Sequence, residues 1–165
     1  MVNSSMSTGF HLAQVNLARA VAPLTDPRLA DFVALLDEIN ELADRSPGFV
    51  WRIQTDAGNA TDIQIEDDPR LIVNMSLWES SEALFDYVYK SGHLRVLSRR
   101  KEWFERSEKP SLALWWVPAG APPTLEDGLE RLDHLVRLGP SAHAFTFKTL
   151  FPAPAGDVVP ATVNS

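Results

Sequence analysis

The apolar residues of this chain follow two different periods, and each period predicts one kind of element. Residues 10–18 (FHLAQVNLA) mix apolar and polar positions at roughly period two, which predicts a first strand. In residues 25–46, apolar positions recur at helical spacing behind Asp26, a good N-cap, and Pro27, a residue suited to the first helical turn. Pro47 and Gly48 then predict the end of this first helix.

The same criteria predict five further elements along the chain. Strands are predicted at 49–53, 71–78 and 111–117, a second helix begins at Ser80 or Ser81, and a third, more polar helix covers 125–138. The stretch 145–151 (FTFKTLF) is interpreted as a possible edge strand. The order strand, helix, strand, strand, helix, strand predicts an α+β fold, the ferredoxin-like βαββαβ antiparallel sheet with both helices on one face.

The predicted third and fourth strands carry bulky apolar residues on both faces. A sheet covered on one side only should alternate apolar and polar residues, and LIVNMSLW and LALWWV do not. The second face must therefore be covered as well. We favour a second copy of the chain packed about a two-fold axis, a homodimer, over the alternative that the third helix and the Pro-rich tail cover that face.

Composition narrows the class of protein. The 165 residues, 45% of them hydrophobic and 22% charged, suit one globular domain, predicted at 10–150 between a flexible 1–9 and a Pro-rich tail at 151–165. A net charge of -7 without a long basic run argues against nucleic acid as a partner. With no cysteine, no signal-like start and no apolar run near 18 residues, we expect a cytoplasmic protein with no membrane partner.

Several short motifs resemble the dimeric α+β barrel superfamily, which includes antibiotic-biosynthesis monooxygenases, haem-degrading monooxygenases and polyketide cyclases. The motifs are Pro47-Gly48-Phe49, Leu77-Trp78-Glu79-Ser80, Glu82-Ala83-Leu84 and Ser91-Gly92-His93. Within the superfamily, Glu102-Trp103-Phe104 and the run from Leu114 to Gly120 resemble a branch known only as a domain of unknown function. The resemblance covers about residues 10 to 117 and is specific for the fold rather than for a reaction.

The resemblance implies a small, often aromatic ligand between the sheet and the helices. Its oxygenases often work without metal or flavin, and its cyclases use a histidine as base with a tyrosine as partner. Its haem-degrading branch uses an Asn on the first strand, which Asn16 could match, and a Trp where this chain has Tyr87 or a neighbour. The haem-ligand position falls nearer Leu97 than His93, so haem is disfavoured and no cofactor is expected.

One stripe of the predicted second helix carries candidate chemistry. At about 100° per residue, six side chains fall near one line if the helix is unbroken: Phe85, Tyr89, His93, Val96, Arg100 and Trp103. One interpretation is a core-facing surface in which Arg100 snorkels and His93 bonds a carbonyl. The other is a pocket in which His93 is a general base, Arg100 stabilises an enolate or phenolate, and Tyr89 orients it.

Outside that stripe, the candidate residues are polar or aromatic positions on the strands. Asn74, in the centre of an apolar strand, either bonds across the sheet or faces a pocket, and Asn16 and Gln14 pose the same choice. Substrate contacts are therefore predicted at Asn16, Asn74, Phe85, Trp103 and Trp116. Four scattered histidines without HxH or HxxxH spacing argue against a metal centre.

These residues lead to two functional hypotheses. The first is a monooxygenase-like or cyclase-like enzyme that abstracts a proton from a small hydrophobic, possibly aromatic molecule. The second is a non-catalytic module that binds or senses a small ligand on the same scaffold, and a purely structural dimer is a third interpretation of the stripe. The sequence alone leaves open whether the protein is an enzyme, and fold-level resemblance is weak evidence for a reaction.

Overall fold

The computed structural model describes residues 9–54, 65, 68–90, 98–120 and 122–154. Within these residues the chain forms, in order, β1 (Phe10–Arg19), α1 (Ala30–Arg45), β2 (Phe49–Arg52), β3 (Leu71–Trp78), α2 (Ser81–Lys90), α3 (Arg100–Trp103), β4 (Leu112–Pro118) and α4 (Leu125–Leu138). A short 3₁₀ turn, Pro27–Leu29, precedes α1. None of the described helices combines the length and apolarity needed to cross a membrane.

The four strands form one antiparallel sheet in the order β2-β3-β1-β4. β1 lies in the centre, where Gln14 pairs with Ser76 and Asn16 pairs with Asn74 of β3. On its other side β1 pairs with β4. This topology confirms the predicted ferredoxin-like βαββαβ arrangement.

Helix starts lie where the capping residues predict them. The Asp26 side chain accepts a hydrogen bond from the Arg28 backbone N–H, ahead of Pro27, and the Ser80 hydroxyl accepts one from Ala83 N–H at 3.1 Å. α4 begins with a capping box in which Thr124 and Asp127 satisfy each other's backbone N–H groups. These caps explain why the predicted and observed helix starts agree within a few residues.

The sheet face opposite α1 and α2 is covered by α4 of the same chain. Leu132 and Leu135 of α4 pack in one cluster with buried residues of β1, β3 and β4. α4 comes close to the sheet at Gly128, where an added Cβ would lie 2.6 Å from the Met75 sulfur and 3.3 Å from Val15 Cγ2. The face for which we favoured a second copy of the chain is therefore covered by α4, which is the third helix predicted from the sequence. A homodimer is no longer needed to cover that face.

Two other expectations about packing differ from the structure. The stretch 145–151 forms no regular strand: Phe145 makes one isolated antiparallel bridge to Leu114 of β4, because a Thr146 to Thr149 bridge turns the chain away after it. On α2, Leu84 is buried, whereas Phe85 and Tyr89, which belong to the predicted stripe, are 43% and 42% exposed. The side of α2 that carries Phe85 and Tyr89 therefore does not face the sheet directly. The predicted second helix, if unbroken from Ser81 to Trp103, would include residues 91–97, which lie outside the described residues.

Candidate functional site

A cavity of about 610 Å³ lies between the sheet and helices α1 and α2. Most of its wall is apolar. The helices contribute Phe32, Leu36, Ile39, Leu84 and Val88, and the sheet contributes Trp78 of β3. The size and the largely apolar lining are those of a small-molecule site. Such a space is far larger than the packing gaps of an ordinary core.

Four polar side chains form a patch on the sheet side of this cavity, which we call the polar patch: Gln14, Asn16, Asn74 and Ser76. They lie on the same face of β1 and β3, because Gln14 pairs with Ser76 and Asn16 with Asn74. Gln14 Nε2 donates to Ser76 Oγ at 3.0 Å and, more weakly, to Asn74 Oδ1 at 3.4 Å. The register of two strands thus brings together residues that are 60 and 62 positions apart in the sequence.

Hydrogen bonds within the protein use only part of the polar patch. Ser76 Oγ also accepts from Trp78 Nε1 at 2.9 Å, and its own hydroxyl proton has no acceptor among the described residues. The amide nitrogen of Asn74 donates to no protein group within the described part of the chain. Donors are therefore available on the polar patch for an oxygen atom of a ligand.

The titratable side chains of the described lining are basic or phenolic. They are Arg52, Tyr87, Tyr89, Arg100 and Lys148, and no carboxylate or imidazole lies among the described lining residues. Arg52 is paired with Asp44, its Nε lying 2.8 Å from Oδ1. The described lining therefore carries positive charge. Of its three cations, Arg52 is paired with a carboxylate, whereas Arg100 and Lys148 have no carboxylate partner among the described residues.

Tyr87 is held as a neutral phenol. Its hydroxyl donates to the Ile39 carbonyl at 3.2 Å, and its ring stacks on Trp78 with centroids 5.0 Å apart. Burial raises the pKa of Tyr87 far above that of a free tyrosine. Tyr87 is consequently suited to shape the cavity and unsuited to act as the base that accepts a substrate proton at neutral pH.

The structure places four of the predicted site residues on the cavity and three away from it. Asn16, Asn74, Tyr89 and Arg100 line it. Phe85 lies on the surface against Tyr89, with ring centroids 4.6 Å apart. Trp103 is 1% exposed and packs on Phe32 at 5.4 Å. Trp116 donates to the Phe151 carbonyl at 2.8 Å, and His93 is outside the described residues.

Sequence reasoning did not single out Ser76 and left Gln14 as a minor candidate. The available signal was the spacing, because Ser76 follows Asn74 by two residues and so shares its strand face. Gln14 stands at the same spacing before Asn16. Only the strand register turns the two pairs into one patch.

The described residues supply no donor set for a metal or for haem in this cavity. No group of three or more His, Asp or Glu residues among them could hold a metal ion, and none of the described histidines, His11, His134 and His143, lines the cavity. Leu97, the position expected to match a haem ligand, lies outside the described residues.

Several solved structures resemble this chain at low sequence identity. A cofactor-independent oxygenase, SnoaB from Streptomyces nogalater, is 16% identical with a TM-score of 0.45, over 70% of this chain and 96% of that one. A conserved protein from Methanosarcina mazei Go1 is 11% identical with a TM-score of 0.48, over 70% and 98%. A Nitrosomonas europaea protein, provisionally classed as an antibiotic biosynthesis monooxygenase, is 13% identical with a TM-score of 0.46, over 74% and 100%.

The family comparison covers nearly the whole chain. No curated protein matches the sequence significantly. One family model matches residues 11–161, and its description is "Domain of unknown function (DUF3291)". That match includes the sheet, the cavity and α4, and it confirms the predicted branch of unknown function. The chain thus belongs to the DUF3291 family.

Proposed function

We propose that this protein is a monooxygenase-like or cyclase-like enzyme that binds a small, mainly apolar molecule in the cavity. The observation that carries the proposal is the polar patch. Gln14, Asn16, Asn74 and Ser76 lie on the helix-covered face of two central strands, where apolar side chains would stabilise the fold more. Gln14 and Ser76 are buried, whereas Asn74 is exposed, so a ligand oxygen can reach the Asn74 amide N–H, which has no acceptor among the described residues.

The proposed chemistry is removal of a proton from a carbon activated by a carbonyl, which leaves the negative charge on the carbonyl oxygen as an enolate or, in an aromatic ring, a phenolate. The free N–H of Asn74 and the hydroxyl of Ser76 would donate to the oxygen on which negative charge develops. We propose His93 as the proton acceptor, because an imidazole ordinarily titrates at about pH 6.5. Tyr89 and Arg100 would orient and stabilise the anion. Its carbon then either attacks a second carbonyl carbon of the same molecule to close a ring, or reacts with dioxygen, one oxygen atom entering the product as a carbonyl and the other leaving as water.

The test separates binding from proton abstraction. We would follow exchange of the C1 protons of 2-tetralone, a bicyclic ketone, in D₂O by NMR, and measure its binding by Trp fluorescence. We expect Asn74→Val to abolish binding, and His93→Gln to keep binding while slowing exchange by roughly 10²–10⁴-fold. His11→Gln is the matched control, since His11 does not line the cavity.

The alternative outcomes assign other functions. Binding that depends on Asn74 without any exchange in the unmodified protein would identify a binding or sensing module. Binding that survives Asn74→Val would contradict the site itself. Exchange that survives His93→Gln would contradict only the choice of base.

The homodimer and the cytoplasmic location are further proposals, and each is tested by its own measurement. The resemblance implies a homodimer, and because α4 already covers the second sheet face, such a dimer would use another surface. Sedimentation velocity measures whether one chain or two are present. The proposed cytoplasmic location would be measured by cell fractionation.

A further inference from the structure

Arg100 differs from the other half-buried arginines of the described chain in having no carboxylate partner among the described residues. The other half-buried arginines, Arg19, Arg52, Arg70, Arg99 and Arg131, each have a carboxylate oxygen within 4.0 Å. Arg100 is also half-buried, yet its one hydrogen bond within the described residues is to Ser111 Oγ at 3.5 Å, the outer limit for such a bond. Its guanidinium also lies over the Phe104 ring at 5.6 Å.

Its neighbour Arg99 shows what a structural arginine looks like in this part of the chain. Arg99 donates to Asp31 and Glu102 at distances of 2.7 to 2.9 Å, and it lies over Trp103. All of these contacts are made away from the lining of the cavity. Arg100 instead lines the cavity with most of its five N–H donors unused by the described chain.

A second cation lies at the same end of the cavity. Phe147 packs in one cluster with Leu112, the first residue of β4. Lys148 follows Phe147 in the chain, lines the cavity and is exposed. Ser111, the partner of Arg100, immediately precedes Leu112. Both Arg100 and Lys148 therefore belong to the β4-start end of the cavity, and the described lining contains no carboxylate.

This distribution of charge is opposite to that of the whole chain. The chain has a formal net charge of -7, with 22 acidic and 15 basic residues. One end of the apolar cavity in this acidic protein is lined by a lysine and by a guanidinium that has no carboxylate partner among the described residues, which favours binding of an anion there. A carboxylate matches a guanidinium by forming two parallel charge-assisted hydrogen bonds.

We propose that the ligand of this cavity is a monocarboxylate whose acid group binds Arg100 and whose apolar body extends toward Trp78. This inference rests on the proposed function and specifies the substrate class of the same site. From Asn16 to Leu12, which lies opposite Trp78, the strand spans four residues, or about 13 Å. That length accommodates a two-ring body with the polar patch beside its middle.

The test compares an acid with its uncharged, nearly isosteric amide. We would measure the affinities of 6-hydroxy-2-naphthoate and 6-hydroxy-2-naphthamide by calorimetry. The unmodified protein should bind the acid roughly tenfold to hundredfold more tightly, the range expected for a charge-assisted pair. Arg100→Gln should lower the affinity for the acid much more than that for the amide and so remove this preference, and Arg100→Lys should retain part of it.

The control variant removes one positive charge at a residue that does not line the cavity. Arg106 is exposed and pairs with no carboxylate of the described chain, so Arg106→Gln should keep the full preference for the acid. Equal thermal stability of the Arg100→Gln and Arg106→Gln proteins would establish that both are folded. A preference that persists in Arg100→Gln, or is absent from the unmodified protein, overturns the proposal.

Failure of this inference is distinguishable from failure of the proposed function. Equal binding of acid and amide that Asn74→Val abolishes would keep the cavity as the binding site and reject the carboxylate class. Absence of binding for both compounds, or binding unaffected by Asn74→Val, would reject both proposals.

Discussion

The two faces of the central sheet are packed in different ways. Under α4, Val15, Met75 and Trp115 are at most 1% exposed, and Gly128 lets the helix lie against them. Under α1 and α2, the same strands present the polar patch to a cavity of about 610 Å³. The strands are common to both faces, so the difference comes from alternate residues along them.

This difference indicates that one face of the sheet mainly stabilises the fold and the other mainly forms the binding site. The α4 face contributes the close packing that stabilises the fold, and each atom removed there leaves a void. The face under α1 and α2 has less of that close packing and instead encloses a cavity, with hydrogen-bond donors that have no acceptor among the described residues. Substitutions on the α4 face should therefore change stability, and substitutions on the cavity face should change binding.

The largest expected effect is on the α4 face, at Trp115. This side chain is 1% exposed, so Trp115→Ala should lower the free energy of unfolding by about 3–5 kcal/mol. Urea denaturation measures it, with Phe85→Ala as the control, an aromatic that is 43% exposed. A loss at Trp115 no larger than that at Phe85 would contradict the comparison of the two faces.

A smaller loss of stability is expected from adding volume at Gly128. Gly128→Val should cost about 1–3 kcal/mol, because its side chain would overlap the Met75 sulfur and Val15. A double-mutant cycle with Met75→Ala should show a favourable coupling, since removing the thioether makes room. Additive effects would mean that α4 is not held at this distance by Met75.

Alkaline pH should reveal the buried phenol on the cavity side. Because the pKa of Tyr87 is raised in the folded protein and is about 10 when exposed, the unfolded chain releases this proton first as pH increases. Stability should be unaffected by this group below pH 10 and should fall above it by up to about 1.4 kcal/mol per pH unit. Tyr87→Phe should remove that part of the slope.

The other tyrosine of the chain supplies the control for that measurement. The sequence contains two tyrosines, and Tyr89 is 42% exposed. Tyr89→Phe should therefore leave the alkaline slope unchanged when unfolding is measured in urea at pH 8, 9.5 and 10.5. An equal slope in all three proteins would show that the Tyr87 hydroxyl is not buried in solution.

The smallest expected change in stability has the opposite sign. Asn74→Val replaces a polar residue in the centre of a strand with a strong strand former and loses only the 3.4 Å bond from Gln14. We expect the free energy of unfolding to rise by up to about 1 kcal/mol while ligand binding is lost. A destabilised Asn74→Val protein would indicate that the polar patch supports the fold rather than a ligand.

Elements with clear boundaries in the sequence were predicted well. β3 lies at residues 71–78 as predicted, because its apolar run is bounded by Pro69 and by Glu79-Ser80. α4 lies at 125–138 because Thr124 and Asp127 cap it and Gly139, at φ 81°, ends it. Both boundaries depend on residues within a few positions, which is what a local pattern can predict.

Features that depend on distant partners were not predictable in the same way. α2 has apolar residues around more than one side, and its orientation depends on contacts such as that between Tyr89 and Phe147, 5.9 Å apart. The polar patch depends on the register of β1 against β3. Gly128 in a helix weakens a sequence-based prediction, yet it is the point at which α4 reaches the sheet.

The segment after α4 lies against the outer edge of β4 and should hinder strand pairing with other molecules there. Phe145 exchanges two backbone hydrogen bonds with Leu114, each 2.8 Å long, while Arg131 donates to the His143 carbonyl and Trp116 to that of Phe151. β4 is the last strand of the sheet, and an uncovered outer strand can pair with another molecule. A chain shortened to end at residue 140 would expose this strand and should aggregate at concentrations at which the intact protein remains dispersed.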